Sequence, residues 1–304
     1  MSTEASRIEL DRQTEIKKGY LLLIVTMLIW GSFTLMSRIG ARQELTAWDI
    51  TALRFAMAFV VLVPIQLWRR EWRFLFDQRV LVLAFLGGIG YSCAVYSGFS
   101  YAPAAHAAIW LNGFLPACTA IAAFIILKEH FNRHTWLSLL FMALGLAGMV
   151  LAMVYEGQFY LTRGDLFFVL GAAFWGVYTV FLKRWMLPPW QAMSGVALWS
   201  AVIYLPVYWL FLPKQLENVS YVHMLEQGVF HGVFVVIIAM LTYIGAVERL
   251  GAFKTGSLLA LAPFLAALAA VPLLNEPLNL AIGVGLIGMG IGALQPWRWR
   301  ASDR

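Results

Sequence analysis

Polar residues fall along this chain in short clusters, and ten apolar stretches of similar length run between them. They cover 19–39, 47–67, 79–101, 105–127, 134–154, 164–183, 190–212, 227–248, 253–274 and 278–296. A helix that crosses the hydrocarbon core of a bilayer needs about 20 mostly apolar residues, so each stretch predicts one transmembrane helix. The pattern predicts an all-α integral membrane protein of ten helices joined by short loops, with no room for an appended soluble domain. Residues 1–18 are polar and mixed in charge and read as a loosely ordered cytoplasmic tail. The apolar run that starts at Gly19 is too long for a signal-peptide core.

The first half of the pattern returns in the second. Adding 147 carries Tyr96 to Tyr243, Gly98 to Gly245, Pro116 to Pro263, Glu129 to Glu276 and Gly145 to Gly292. The element Trp30-Gly31-x-Phe33-Thr34 comes back as Trp175-Gly176-x-Tyr178-Thr179. Five helices fall in each half, 19–154 and 164–296, with an external linker at 155–163 and a short cytoplasmic tail at 297–304. Five is odd, so the second half enters the bilayer the other way round, and the expected architecture is two inverted repeats with both termini inside.

Charge tests that orientation. With the N-terminus inside, seventeen Lys and Arg lie in cytoplasmic tails and loops, and four (Arg38, Arg42, Arg163 and Lys214) lie outside, the bias expected of a cytoplasmic-membrane protein. Composition agrees with the membrane reading: 61% of residues are hydrophobic and 12% charged, and mean hydropathy is +0.75, against about 25% charged in a soluble domain. The net charge of +6 comes from dispersed residues and forms no nucleic-acid footprint. Cys93 and Cys118 lie inside apolar runs and read as small hydrophobes. The expected surroundings are the lipid bilayer and a small-molecule solute, in the inner (plasma) membrane, with no cofactor and no metal.

Trp30-Gly31-Ser32, Arg54, Asn112 to Pro116 with Leu127-Lys128-Glu129, and Ala262-Pro263 with Asn275-Glu276 together resemble the drug/metabolite transporter superfamily, and within it the EamA-type ten-helix exporters. The resemblance covers nearly all of 19–296. It implies a transporter whose solute sits between the two repeats. Aromatic amino acid exporters of this kind are similar in keeping Tyr at Tyr91, Asn at Asn112 and Trp at Trp175; the Trp they carry before the helix-4 proline is Leu115 here.

The residues themselves carry the candidate chemistry. Trp30, Tyr91, Tyr96, Trp110, Trp175, Tyr178 and Tyr243 stand at midplane depth, away from the interfaces such rings prefer, and each needs a partner for its N–H or O–H. A solvated cavity supplies one, and so does interhelix packing. Asn112 places an amide inside apolar helix 4, where substrate, water or a neighbouring helix has to satisfy it. Arg54 is the one basic residue well inside an apolar run, which costs a few kcal/mol; snorkelling aided by Asp49 or Glu44, a gating ion pair and recognition of a solute carboxylate all fit. Pro116 and Pro263 free carbonyls at matched positions, as flex points or as fixed kinks. His106 and His231 read as interfacial residues near helix ends.

The carboxylates Asp49, Asp165, Glu129, Glu226, Glu248 and Glu276 all fall near helix ends, so none stands at the bilayer centre as a proton relay would. Gly283-x-Gly285-x-x-Gly288 lacks the strand and the ribose ligand of a dinucleotide site. With Gly292, and with Gly145 and Gly148 in helix 5, it forms small-residue faces suited either to a homodimer seam or to packing within one chain. The leading expectation is an exporter of amino acids or related amphiphilic metabolites working by alternating access. Import or exchange of amines, nucleobases or cofactors follows the same pattern under other gradients, and a membrane-embedded enzyme is the distant alternative.

Overall fold

The computed structural model describes residues 2–42, 45–102, 104–157, 160–262 and 280–295. Its regular elements are helices: α1 (Ser2–Arg42), α2 (Ala47–Arg69), α3 (Gln78–Tyr101), α4, α5 (Arg133–Tyr155), α6 (Arg163–Trp185), α7 (Pro189–Phe211), α8 (Tyr221–Leu250), α9 (Ala252–Leu259) and α10 (Leu280–Leu294). The helix α4 is built from Ala104–Ala107, a wide π segment Ala108–Gly113, and Leu115–Leu127. Helices α1 to α8 each contain a stretch long and apolar enough to cross a membrane, and this is an all-α membrane protein. The expected ninth span continues to 274, beyond α9 and outside the described residues, as does Pro263. Among the described residues, the apolar part of α10 is the shorter Gly283–Leu294.

Leu21, Ile24, Leu28, Leu151, Trp209 and Phe211 are exposed large apolar side chains, an outward face that lipid, not water, satisfies. The expected loose N-terminal tail is helical from Ser2. No Gly or Pro interrupts 2–18, and good helix formers dominate it. Glu15 pairs with Lys18 at 2.6 Å and with Arg249 of α8 at 2.9 Å, which ties the extension to the bundle.

Helix direction can be followed contact by contact. Gly19 lies against Leu250, Thr26 bonds Thr242 at 2.7 Å, and Met36 accepts from Gln227, so α1 and α8 run antiparallel. Gly98 meets Phe168 while Gly87 meets Tyr178, so α3 and α6 are antiparallel too. Gly228 and Gly232 of α8 follow Leu53 and Ala58 of α2 in the same sense, a parallel pair. Asp49 bonds Tyr208 while Phe55 packs on Tyr204, so α2 opposes α7.

Residues matched in sequence make matched contacts. A Cβ on Gly98 would lie 2.6 Å from the Phe168 ring, and one on Gly245 would lie 2.9 Å from Leu22. Gly176 faces the backbone of Cys118 and Thr119 just after Pro116, and Gly31 faces the Ala262 carbonyl just before Pro263.

The glycine faces of α5 and α10 meet each other: a Cβ on Gly145 would lie 2.8 Å from the Cα of Gly288, and Gly148 faces Val284. Ser138 of α5 bonds the Gly292 carbonyl at the other end of the seam. Over this stretch the small residues of the two helices pack antiparallel within one chain. Their small residues let the two backbones touch, as membrane helices require when no hydrophobic force draws them together.

The entry of α2 is fixed by a capping box. Thr46 and Asp49 satisfy each other's backbone N–H, and fully buried Asp49 also takes the Tyr208 hydroxyl and the Gln215 N–H. Thr46→Ala is expected to cost about 1 kcal/mol, read as a lower melting temperature of the solubilised protein. An unchanged melting temperature would mean that Asp49 is held without its cap.

Candidate functional site

Five of the eight proposed contact residues meet around Trp175. Its ring lies 4.8 Å from Tyr91, 5.2 Å from Tyr178, 5.3 Å from Trp30 and 5.6 Å from Tyr243, centroid to centroid, and Trp30 lies 5.2 Å from Tyr243. The rings come from α1, α3, α6 and α8 and meet at tilted or edge-on angles, which suit their quadrupoles and contribute about 0.5–1.5 kcal/mol per pair. Trp175, Tyr178 and Tyr243 are buried, and Trp30 and Tyr91 are half-buried.

Local backbone makes this cluster fit. Gly87 lies in the π segment Phe85–Gly90 of α3, and any side chain there would strike the Tyr178 ring at 2.6 Å. The π segment Val229–Ile238 of α8 offers the Val235 carbonyl to Trp30 Nε1 at a long 3.5 Å. Wide turns of this kind loosen the regular bond ladder, and they occur often where function needs it. The Tyr243 hydroxyl pairs with that of Thr179, which donates back to the Trp175 carbonyl at 2.8 Å when Tyr243 serves as the donor to it. The Tyr178 hydroxyl is buried without a partner among the described residues. The rings touch one another.

The other three candidates stand elsewhere. Tyr96 packs 6.1 Å from Trp48, and Trp110 lies 5.3 Å from Phe114 of its own helix. Asn112 donates at 3.3 Å to the Ala107 carbonyl, one wide turn back on the same helix. Pro116 sits in the first turn of the α segment that follows, where a missing N–H is tolerated.

A second polar group is buried in α8. His231 is fully buried within the π segment of α8, which corrects its expected place near a helix end. Its Nε2 faces the Gln227 Oε1 at 3.2 Å, its ring lies 5.1 Å from Phe33, and its Nδ1 has no partner among the described residues. Across from it, a Cβ on Gly232 would lie 2.9 Å from the Arg54 carbonyl. The Nε of Arg54 is buried without a partner among the described residues, and its guanidinium lies 5.3 Å from the Phe55 ring. Asp49, expected to assist it, is committed to Thr46, Tyr208 and Gln215. The other expected helper, Glu44, lies outside the described residues.

His106, by contrast, is buried against Asp165 at 2.7 Å, beside the Thr162 cap of α6. Sequence reasoning passed over Thr179, although it stands in the repeated element Trp175-Gly176-x-Tyr178-Thr179. It also missed the Thr26–Thr242 pair, for which no spacing gave a signal.

Comparison with known proteins gives a consistent result. A family model described as the EamA-like transporter family matches residues 17–151 and again 162–295. An uncharacterized transporter of Archaeoglobus fulgidus is 27% identical over 56% of this chain and 59% of its own length, so the chain spans less than two thirds of that relative. An uncharacterized transporter of Clostridium kluyveri is 20% identical over 92% of this chain and 93% of its own. A crystal structure described only as that of a protein superposes with a TM-score of 0.71 at 21% identity, over 91% of this chain and 96% of the other. That likeness concerns the fold alone.

Proposed function

The chain belongs to the EamA-like transporter family and is a multi-pass membrane transporter, and from that premise we propose that it exports amino acids or related amphiphilic metabolites by alternating access. The observation that carries this reading is the ring cluster at Trp175, to which the first half gives Trp30 and Tyr91 and the second gives Trp175, Tyr178 and Tyr243. A solute held there lies between two halves that can rock against each other, and its apolar body meets ring faces while an ammonium gains cation–π attraction.

Two inverted five-helix repeats, ten spans and both termini inside complete the proposal. The corresponding helices α2 and α7, and α5 and α10, run antiparallel, which supports the inversion. The family model matching once in each half supports the duplication. The excess of Lys and Arg on the proposed cytoplasmic side supports the orientation and a plasma-membrane location. The export direction follows the resemblance to ten-helix exporters.

Proteoliposomes preloaded with radiolabelled phenylalanine or leucine are expected to lose label faster than protein-free vesicles, with competition by unlabelled amphiphilic amino acids. Equal leak in both, across amino acids, amines and nucleosides, would remove the solute class. Compartment-sensitive reporters fused at Gly157 and after Arg304 are expected to read outside and inside respectively. The same side for both would remove the inverted topology.

A further inference from the structure

We propose that Asp49 and Asp165 form a gate that closes the outer end of the transporter, each carboxylate tying one half of the chain to the other. The gate rests on the proposed rocking of the two halves and names where that motion is held shut. Both residues stand at the third position of a helix that opens on Thr-x-x-Asp, Thr46 to Asp49 in α2 and Thr162 to Asp165 in α6. In each, Oδ2 serves the helix itself. It accepts from the threonine N–H and hydroxyl, at 2.9 and 2.6 Å for Asp49 and at 2.6 and 3.1 Å for Asp165.

In each, Oδ1 reaches across instead. That of Asp49, in the first half, accepts from the Tyr208 hydroxyl and the Gln215 N–H in the second. That of Asp165, in the second half, lies 2.7 Å from His106 Nδ1 in the first. The cap holds each carboxylate in place, while its other oxygen makes a bond that can break and re-form as the halves part and meet. Both points stand at one end of the bundle: Trp48 packs on Tyr96 of α3, and just past the end of α3 Ala102 lies against Gly164. Trp175 lies about 15 Å deeper along α6, at about 1.5 Å per residue. Asp49, Asp165 and His106 are buried, so these bonds act with little water to compete. At the opposite end Glu15 pairs with Arg249, and Arg184 donates to the Ile126 carbonyl, both across the halves and both in exposed positions. Parting at the outer end therefore has to break dry carboxylate bonds, and water satisfies the freed groups once it enters.

The test uses the full-length protein in vesicles of known orientation, with Cys93→Ala and Cys118→Ala as background and Thr179→Cys as a reporter at the ring cluster. Adding Tyr208→Phe keeps the ring and the Thr46 cap and removes only the hydroxyl that crosses the halves. A membrane-impermeant thiol reagent is expected to label the reporter about tenfold faster from the outside in that variant, the size of one hydrogen bond to a charged group, and more slowly from the inside. In a second protein of the same background without the reporter, His106→Cys and Asp165→Cys are bridged by a short, reducible thiol-to-thiol linker. Flux of radiolabelled phenylalanine is expected to fall to background on bridging and to return with reductant.

Labelling unchanged by Tyr208→Phe, labelling faster from both faces as in a protein merely loosened, or full flux through the bridged protein overturns the proposal. The labelling arm needs neither flux nor the double variant and decides alone where either fails. If flux needs Trp175 while bridging leaves it untouched, the ring site stands and the gate falls. If bridging stops a flux that does not depend on Trp175, the gate stands and the ring site falls.

Discussion

Trp175→Ala is expected to bring solute flux in proteoliposomes to background, while Trp175→Phe retains part of it. The tryptophan touches four of its neighbours' rings, and among the described residues no other ring in the cluster touches as many. Removing it takes away about 2 kcal/mol of ring contact to a bound solute, or about thirtyfold in affinity. It also leaves a cavity that costs the protein about 3–5 kcal/mol of stability. The two effects separate if flux is normalised to folded, reconstituted protein and the phenylalanine variant, which keeps most of the volume, is measured beside it. Trp110→Ala is the internal control, because that ring lies against Phe114 outside the cluster; its flux is expected to remain. Wild-type flux in Trp175→Ala at equal folded protein would show that the rings are packing alone.

That experiment separates what the sequence could reveal from what it could not. Duplication of Trp-Gly-x-aromatic-Thr marked Trp30, Trp175 and Tyr178, because a repeated element has to make equivalent contacts in both halves, and Gly31 and Gly176 do so against Ala262 and α4. Midplane depth marked Trp110 equally well, and the repeat also marked Tyr96 as the match of Tyr243, yet Tyr96 packs on Trp48 and Trp110 on Phe114. Depth is a coordinate along a helix and says nothing about which way a side chain points around it. Asn112 was conspicuous as an amide in hydrocarbon, yet the π segment around it opens a carbonyl on the same helix, and π segments have no reliable sequence signature. The same blindness hid His231. Its helix was read as starting at 227, which put the residue near the end, whereas α8 begins at Tyr221 and carries His231 inward. Helix existence was legible from apolar length, and boundaries were not, because polar residues such as those of 2–18 are good helix formers too.

Gly145→Leu is expected to destabilise the bundle strongly. At Gly145 the obstruction is backbone: a Cβ would lie 2.8 Å from Gly288 Cα and 2.9 Å from Met289 N, so no side-chain rotation relieves it. Helices α5 and α10 would have to separate, losing the bond from Ser138 to the Gly292 carbonyl and the packing of buried Met142 and Met289. Overpacking of this kind costs about 1–3 kcal/mol and more where backbone has to move. The expected readout is a large fall in melting temperature and in yield of monodisperse protein. Gly283→Leu, where a Cβ meets nothing within 4 Å, is expected to be well tolerated on the same helix. A dimer seam makes the opposite prediction, since Gly145→Leu would then shift the oligomeric state by light scattering while leaving the monomer's melting temperature in place. The pair of variants therefore decides whether these glycines join two halves of one transporter or two copies of it.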